Sequence, residues 1–125
     1  MKAIHPVLAA LGTVLVFSTG SVLAQSGMKK ADGVLADAKG MTVYTFDKDT
    51  AGSGKSACND ACAKMWPPVM VTESSVTSPY STVRRDDGTT QLAYKGKPLY
   101  LFAKDMKPGE RKGDKMKDMW HVVAD

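Results

Sequence analysis

The feature that most restricts the fold of this 125-residue chain is an internal repeat. Residues 40–49 and 96–105 align without gaps at a spacing of 56 positions, and their Gly, Tyr, Phe, Lys and Asp are identical. A tryptophan follows each segment after a polar loop, Trp66 in the first copy and Trp120 in the second. Agreement at a constant spacing is typical of a duplicated structural unit. The chain is therefore predicted to fold as two copies of one supersecondary motif.

Within each copy the large apolar residues recur with a period of two, which indicates β-strands. Tyr44 and Phe46 share one face of the first copy, and Tyr100 and Phe102 share the matching face of the second. An Asp-Gly pair at 87–88 between two strand-like segments is a strong hairpin signal. The predicted fold class is mainly β, with two tandem antiparallel β-meander repeats packed together, at about 32–72 and 82–123 of a single domain spanning 32–125.

The second repeat is predicted as a four-stranded meander that residues 120–123 close. Residues 59–66 form the one convincing helical stretch, and Pro67 with Pro68 ends it because proline cannot continue a helix. We therefore expect one short helix near the Cys-x3-Cys segment.

The first 24 residues are predicted to be an export signal. Lys2 provides a positive start, an apolar stretch follows, and Val22 and Ala24 meet the small-residue rule for cleavage. The apolar run is shorter than the roughly 20 residues that span a bilayer, so no stable membrane span is expected after cleavage. Residues 25–31 then form a short tail, and the protein is expected to be periplasmic or secreted.

The charge and the motifs exclude several functions. The formal net charge is +4, from 17 basic and 13 acidic residues, and no basic block stands out, so nucleic-acid binding is not expected. A single histidine, His121, follows the leader, and the chain has no nucleophile elbow, zinc-protease motif or phosphate loop. We therefore predict that the protein is not an enzyme and has no resident cofactor.

The repeated residues have a structural interpretation. The aromatic set is expected to pack in the core of the paired sheets, because it alternates with aliphatic residues; an exposed aromatic surface for a ligand such as a glycan is the alternative. Asp49 and Asp105 each follow a strand, where a carboxylate can accept backbone N–H groups and stabilise a turn. The structural repeat residues are Tyr44, Phe46, Asp49, Trp66, Tyr100, Phe102, Asp105 and Trp120.

Cys58 and Cys62 are the two cysteines of the chain. An oxidising compartment favours a disulfide between them, and one helical turn brings such residues within reach of each other. Haem attachment and a thioredoxin-like redox pair both require Cys-x-x-Cys. A thiolate metal site would need more ligands than the nearby Met65.

Methionine provides the one hint of a ligand. Seven of the eight methionines follow residue 24, and Met116, Met119 and His121 lie within six positions beside Trp120. Thioethers and imidazole suit Cu(I), and an indole face can cover a cation. Copper binding through Met116, Met119 and His121 is therefore the alternative to a cofactor-free protein, although strand geometry puts Trp120 on the opposite face.

Taken together, the doubled Tyr-x-Phe-x-x-Asp motif, the Cys-x3-Cys segment before Trp-Pro-Pro, and Tyr-Lys-Gly-Lys-Pro-Leu-Tyr before Trp-His-Val-Val resemble one family. It is the bacterial family of secreted lipoproteins with the Yx(FWY)xxD motif, also described as a secreted repeat of unknown function. The resemblance covers about residues 32–123. Many members carry a lipid-attachment cysteine after the leader, whereas Gln25 stands here, so the resemblance implies a form without a lipid anchor.

These observations favour a secreted, non-catalytic β-repeat module with a binding or envelope-interaction role. Its partner would be an envelope component or a small ligand that the sequence does not identify. A periplasmic copper-binding or redox-stress protein is the alternative function.

The export signal gives a first testable prediction. Mass spectrometry of the exported protein should find Gln25, or its cyclised pyroglutamyl form, as the first residue. Ala24→Leu should block this cleavage, because signal peptidase requires a small residue at that position. An intact N-terminus on the wild-type protein, or its recovery from the cytoplasm, would contradict the predicted compartment.

Overall fold

The computed structural model describes residues 27–71 and 76–124, so the predicted export signal lies outside the described residues. The described strands are β1 (Lys29–Ala31), β2 (Val34–Ala36), β3 (Tyr44–Phe46), β4 (Tyr80–Arg84), β5 (Thr90–Tyr94), β6 (Lys97–Pro98) and β7 (Trp120–Val122). Helix α1 (Ala61–Met65) lies between β3 and β4, and a 3₁₀ turn, η1 (Met116–Asp118), precedes β7. In the described part of the chain, no helix has the length and apolarity to cross a bilayer.

All strand pairs are antiparallel. Strand β1 pairs with β2, while β4, β5 and β6 form a three-stranded meander in that order. Strand β7 pairs with β3, and Phe46 lies opposite Trp120 in the register. The mainly β fold class and the short helix beside the cysteines are thus confirmed. The helix is shorter than the predicted residues 59–66.

The closing strand of the second repeat does not complete its own meander. It pairs instead with the Tyr-x-Phe strand of the first repeat. Reciprocally, residues 100–102 of the second repeat pair with the segment after Trp66, where Pro68 bridges Tyr100 and the Leu101 N–H donates to the Pro67 carbonyl at 2.7 Å. The predicted four-stranded meander is therefore wrong in its last strand, because the repeats exchange their tryptophan-bearing segments.

Several matched hydrogen bonds show that the exchange is symmetrical. The Tyr44 N–H donates to the Tyr100 carbonyl at 2.8 Å, and the Tyr100 N–H donates back to the Tyr44 carbonyl at 2.9 Å. In a second matched pair, the Leu35 N–H donates to the Val123 carbonyl at 2.8 Å and the Leu92 N–H donates to the Val69 carbonyl at 2.7 Å. Swapping the two repeats maps each contact onto its partner, which is the pattern of an approximate two-fold axis between Tyr44 and Tyr100.

The period of two separates the buried side chains into two clusters. Val43 and Leu99, which flank the tyrosines, point into an aliphatic cluster that also contains Met28, Leu35, Val69 and Leu92. The other face carries the aromatic cluster, whose buried members are Tyr44, Phe46, Cys58, Trp66, Tyr100, Phe102 and Trp120. Because successive residues of an extended backbone point to opposite sides, one short extended segment in each repeat, 43–46 or 99–102, contributes to both clusters.

Gly113 marks the closest approach of a loop to the aromatic cluster. A Cβ atom at this position would lie 2.6 Å from a ring carbon of Trp66 and 3.1 Å from Phe102. Only glycine leaves room for both rings, so the loop before η1 packs directly onto the indole.

The pairing of strands between the repeats predicts that the domain unfolds as one unit. Phe46→Ala or Phe102→Ala should each lower the free energy of unfolding by about 3–5 kcal/mol, through lost burial and the cavity that remains. A domain of this size has only about 5–15 kcal/mol in total. Because each repeat completes the other, calorimetry should show one cooperative transition at a lower temperature for both variants. Two separate transitions would contradict this account.

Candidate functional site

Four aromatic rings form a continuous stack at the centre of the molecule. The indoles of Trp66 and Trp120 are parallel within 2° and their ring centroids are 3.7 Å apart. Phe46 lies against the outer face of Trp120 at 4.1 Å, and Phe102 against Trp66 at 4.2 Å. The rings come from the first, second, first and second repeat in turn, so the stack joins the repeats at every interface.

The two repeat tyrosines approach this stack edge-on. Tyr44 meets Trp66 at an interplanar angle of 82°, and Tyr100 meets Trp120 at 89°. Edge-to-face contacts suit the quadrupoles of aromatic rings. The six aromatic residues of the repeat motif are all buried, and together they occupy the core rather than an exposed surface.

Each tyrosine hydroxyl donates to the aspartate of the other repeat. The Tyr44 hydroxyl donates to Asp105 Oδ2 and the Tyr100 hydroxyl to Asp49 Oδ2, both at 2.6 Å. The second carboxylate oxygen of each aspartate accepts a backbone N–H, from Ala57 at 2.6 Å or from Lys112 at 2.9 Å. Each carboxylate therefore accepts a backbone N–H from a nearby loop, and it also connects the two repeats.

These bridges change the acidity of the buried groups. Burial, and next the hydrogen bond to Asp105, raises the pKa of the Tyr44 phenol well above its usual 10.0. Burial and the bond to Asp49 raise the pKa of the Tyr100 phenol in the same way. Burial also raises the pKa of the Asp49 carboxyl, although the hydrogen bonds from Tyr100 and Ala57 oppose the shift. Both tyrosines stay neutral donors in the folded protein.

The Tyr100–Asp49 bridge has a buried cation beside it, whereas the Tyr44–Asp105 bridge has none among the hydrogen bonds of the described residues. Arg85 directly follows β4 and is 6% exposed. Its Nη1 donates to Gln91 Oε1 at 2.7 Å and to Ser56 Oγ at 3.0 Å, and Ser56 Oγ lies 2.6 Å from the Tyr100 hydroxyl. Its Nη2 donates to the Cys58 carbonyl at 2.6 Å. Arg85 thus joins β4 to the loop that leads into the disulfide.

Cys58 and Cys62 form the disulfide that the sequence predicts, with a Cα–Cα distance of 5.2 Å. Cys58 is fully buried, and Cys62 packs at the edge of the aromatic cluster. The Trp66 N–H donates to the Cys62 carbonyl at 2.8 Å. The disulfide therefore ties the start of α1 to the loop that the Tyr100 bridge anchors.

An open pocket of about 500 Å³ lies against the edge of the ring stack, and we call it the sulfur–aromatic pocket. Side chains of both repeats line it. Met65 and Cys62 come from the α1 side, Met116 and Met119 come from the η1 side, and Lys104 and Lys117 add two ammonium groups. The remaining lining residues are Phe46, Ala61, Trp66, Phe102 and Trp120.

The loop that brings Met116 and Met119 to this pocket has an unusual backbone. Lys115, Lys117 and Asp118 adopt positive φ angles of 65°, 53° and 55°. The left-handed conformation costs an L-residue roughly 1–2 kcal/mol, so three such residues within four positions are a substantial local strain. The turn directs both methionines toward the pocket.

His121 lies apart from the two methionines proposed with it as copper ligands. Its Nε2 is 2.8 Å from Asp47 Oδ2, the pair is partly exposed, and His121 does not line the sulfur–aromatic pocket. Both faces of both indoles are covered by neighbouring rings, so Trp120 offers no free face to a cation. Met65 joins Met116 and Met119 in the pocket instead.

Three features of the site were missed in the sequence. The sequence did contain a sign of the Tyr–Asp bridges, since the Tyr-x4-Asp spacing recurs in both repeats. Their pairing across the repeats could not be predicted without knowing that the repeats exchange strands. Met65 had a signal too, because it aligns with Met119 at the tryptophan spacing of 54. Nothing in the sequence indicated that Arg85 is buried, because it follows Arg84 in a charged hairpin that is typical of a protein surface.

The repeat architecture agrees with a comparison of the chain with known families. Residues 26–70 and 81–124 each match the family described as a secreted repeat of unknown function. The chain belongs to this family. The searches of curated proteins and of solved structures found no match to the chain. The predicted family and the secreted localisation are thus confirmed, and the family description includes no reaction or ligand.

The tyrosine bridges predict a loss of stability in alkali. Unfolded tyrosines ionise near pH 10, whereas Tyr44 and Tyr100 remain protonated in the fold, so the unfolded state releases more protons. The free energy of unfolding, measured in urea, should therefore fall as pH rises above about 10. Tyr44→Phe with Tyr100→Phe should flatten this slope, and each change should cost about 1.5–3 kcal/mol at neutral pH.

Tyr94→Phe is the matched control, because it removes a phenol that lies outside both bridges. It should leave more of the alkaline slope than the double variant does. An unchanged slope in the double variant would show that other groups cause the alkaline loss.

Proposed function

We propose that this protein is a secreted, non-catalytic binding module whose ligand site is the sulfur–aromatic pocket. The observation that carries the proposal is the pocket itself, which the two repeats build jointly at the edge of the ring stack. Its volume of about 500 Å³ lies within the range of small-ligand sites, which are mostly apolar with a few polar groups. The two lysines supply the polar groups here.

A non-catalytic role is supported by how the reactive side chains are used. The buried carboxylates of Asp49 and Asp105 accept hydrogen bonds within the core, and neither residue lines the pocket. His121 pairs with Asp47 away from the pocket. The pocket lining contains no carboxylate, imidazole or hydroxyl that could transfer a proton.

The walls favour a ligand with apolar or soft chemistry. The methionine side chains are flexible and polarisable, which suits adaptable binding surfaces. The lysines can pair with an acidic group on a small ligand. An envelope component could bind in the same way if it inserts an apolar group into the pocket. A copper-binding role is the second candidate, and the presence of Met65 beside Met116 and Met119 favours it.

Ligand entry can be tested with an anionic naphthalene dye, whose fluorescence rises in apolar sites. Both tryptophans of the chain line the pocket, so dye binding should quench their emission with one site per chain. Ala61→Phe should weaken the response, because Ala61 is exposed at the start of α1 and a phenyl group there can occupy part of the pocket.

Ala51→Phe is the matched control. Ala51 is equally exposed, but it lines a different depression of about 400 Å³ together with Tyr94, Lys95 and Lys97. This variant should bind the dye like the wild type. Loss of binding in Ala51→Phe alone would move the site to that depression and refute the proposal.

A further inference from the structure

Three methionines from different parts of the chain line the sulfur–aromatic pocket. Met65 ends α1 in the first repeat, while Met116 begins η1 and Met119 follows it in the second. Met65 and Met119 hold equivalent places: the Ala103 N–H donates to the Met65 carbonyl at 2.9 Å, and the Asp47 N–H donates to the Met119 carbonyl at 2.8 Å. The approximate two-fold axis thus relates the backbone of Met65 to that of Met119, and both side chains line the pocket.

The exposure of these side chains differs from that of a core methionine. Met65 is 40% exposed, and Met116 and Met119 are half-buried. By contrast, Met28 is 5% exposed within the aliphatic cluster. The pocket methionines pack against the aromatic cluster, yet they border a space that solvent can enter.

The backbone provides an independent observation. The left-handed residues Lys115, Lys117 and Asp118 surround Met116 and precede Met119. Strained backbone conformations cluster at ligand clamps and active sites, where the surrounding structure holds them for function. Three strained residues thus lie next to the two methionines of the second repeat.

We propose that Met65, Met116 and Met119 form a three-thioether site for Cu(I). This inference rests on the proposed function and names the ligand of that pocket. Neutral thioethers select soft ions such as Cu(I), while hard divalent ions prefer oxygen ligands. Within residues 27–71 and 76–124, no three His, Cys, Asp or Glu side chains come together as a metal site.

The lysines of the pocket sharpen this selectivity. Lys104 and Lys117 repel any cation, and Coulomb repulsion of a divalent ion is twice that of Cu(I) at the same distance. Binding must therefore come from the sulfur atoms rather than from electrostatic attraction. The proposed site also differs from the set of Met116, Met119 and His121, because Met65 takes the place of the histidine.

The test is a competition for Cu(I) in oxygen-free buffer, with the secreted protein and the coloured chelator bicinchoninate. We expect one Cu(I) per chain and a change in tryptophan emission at the same stoichiometry. Leucine at any one of the three positions (Met65→Leu, Met116→Leu or Met119→Leu) should weaken Cu(I) binding by roughly tenfold or more. Even the mutation of a residue that only supports a metal ligand lowers metal affinity by about 10- to 100-fold.

Met70→Leu and Met106→Leu are the matched controls, because both residues are exposed and lie outside the pocket. They should bind Cu(I) like the wild type, and so should His121→Ala. Methionine and leucine have similar volumes, so melting temperatures should stay close to the wild-type value in every leucine variant. The dye assay on the same samples verifies that the pocket is intact.

Unchanged affinity in the triple leucine variant would overturn the inference, and so would a loss of binding in His121→Ala. If the wild type takes up no Cu(I) but still binds the dye, the copper site is refuted and the proposed binding function stands. If neither Cu(I) nor the dye binds, the proposed function fails as well.

Discussion

The stack of four aromatic rings is the interaction on which the rest of this structure depends. Alternation between repeats means that Trp66 and Trp120 each have both faces covered, one by the other indole and one by a phenyl ring. Neither repeat could bury its own tryptophan without the other. The loop at Gly113, the disulfide and the pocket walls are all placed by contact with this stack.

The Tyr–Asp bridges orient the repeats around the stack. A stack of flat rings resists separation but tolerates sliding, whereas a charge-assisted hydrogen bond has a defined direction. The bonds from Tyr44 to Asp105 and from Tyr100 to Asp49 cross the interface in opposite senses. The ring stack therefore contributes attraction between the repeats, and the two Tyr–Asp bonds act together with the backbone pairing of β3 with β7 and of Tyr44 with Tyr100 to determine their relative position.

The sequence predicts the local structure well and the pairing of strands less well. Strand β3 followed from the period of two around Tyr44, and the disulfide followed from compartment and spacing. The matching segment around Tyr100 is extended, but it forms only isolated bridges after the two-residue strand β6. The partner of β7 did not follow, because a repeat pattern is equally compatible with strands that pair within a copy or between copies. The pocket depends on that choice, so Met65 could not be joined to Met116 before the exchange was known.

The exchange of strands has a consequence for how such a chain comes to be folded at all. A polypeptide with a single copy of the motif would leave β3 without its neighbour, and it could complete its sheet only by associating with a second molecule. Such a pair would dissociate on dilution. Joining the copies through one linker turns that encounter into an intramolecular one, at an effective concentration on the order of millimolar. A secreted protein meets strong dilution outside the cell, and covalent connection of the halves makes its fold independent of how many copies are nearby.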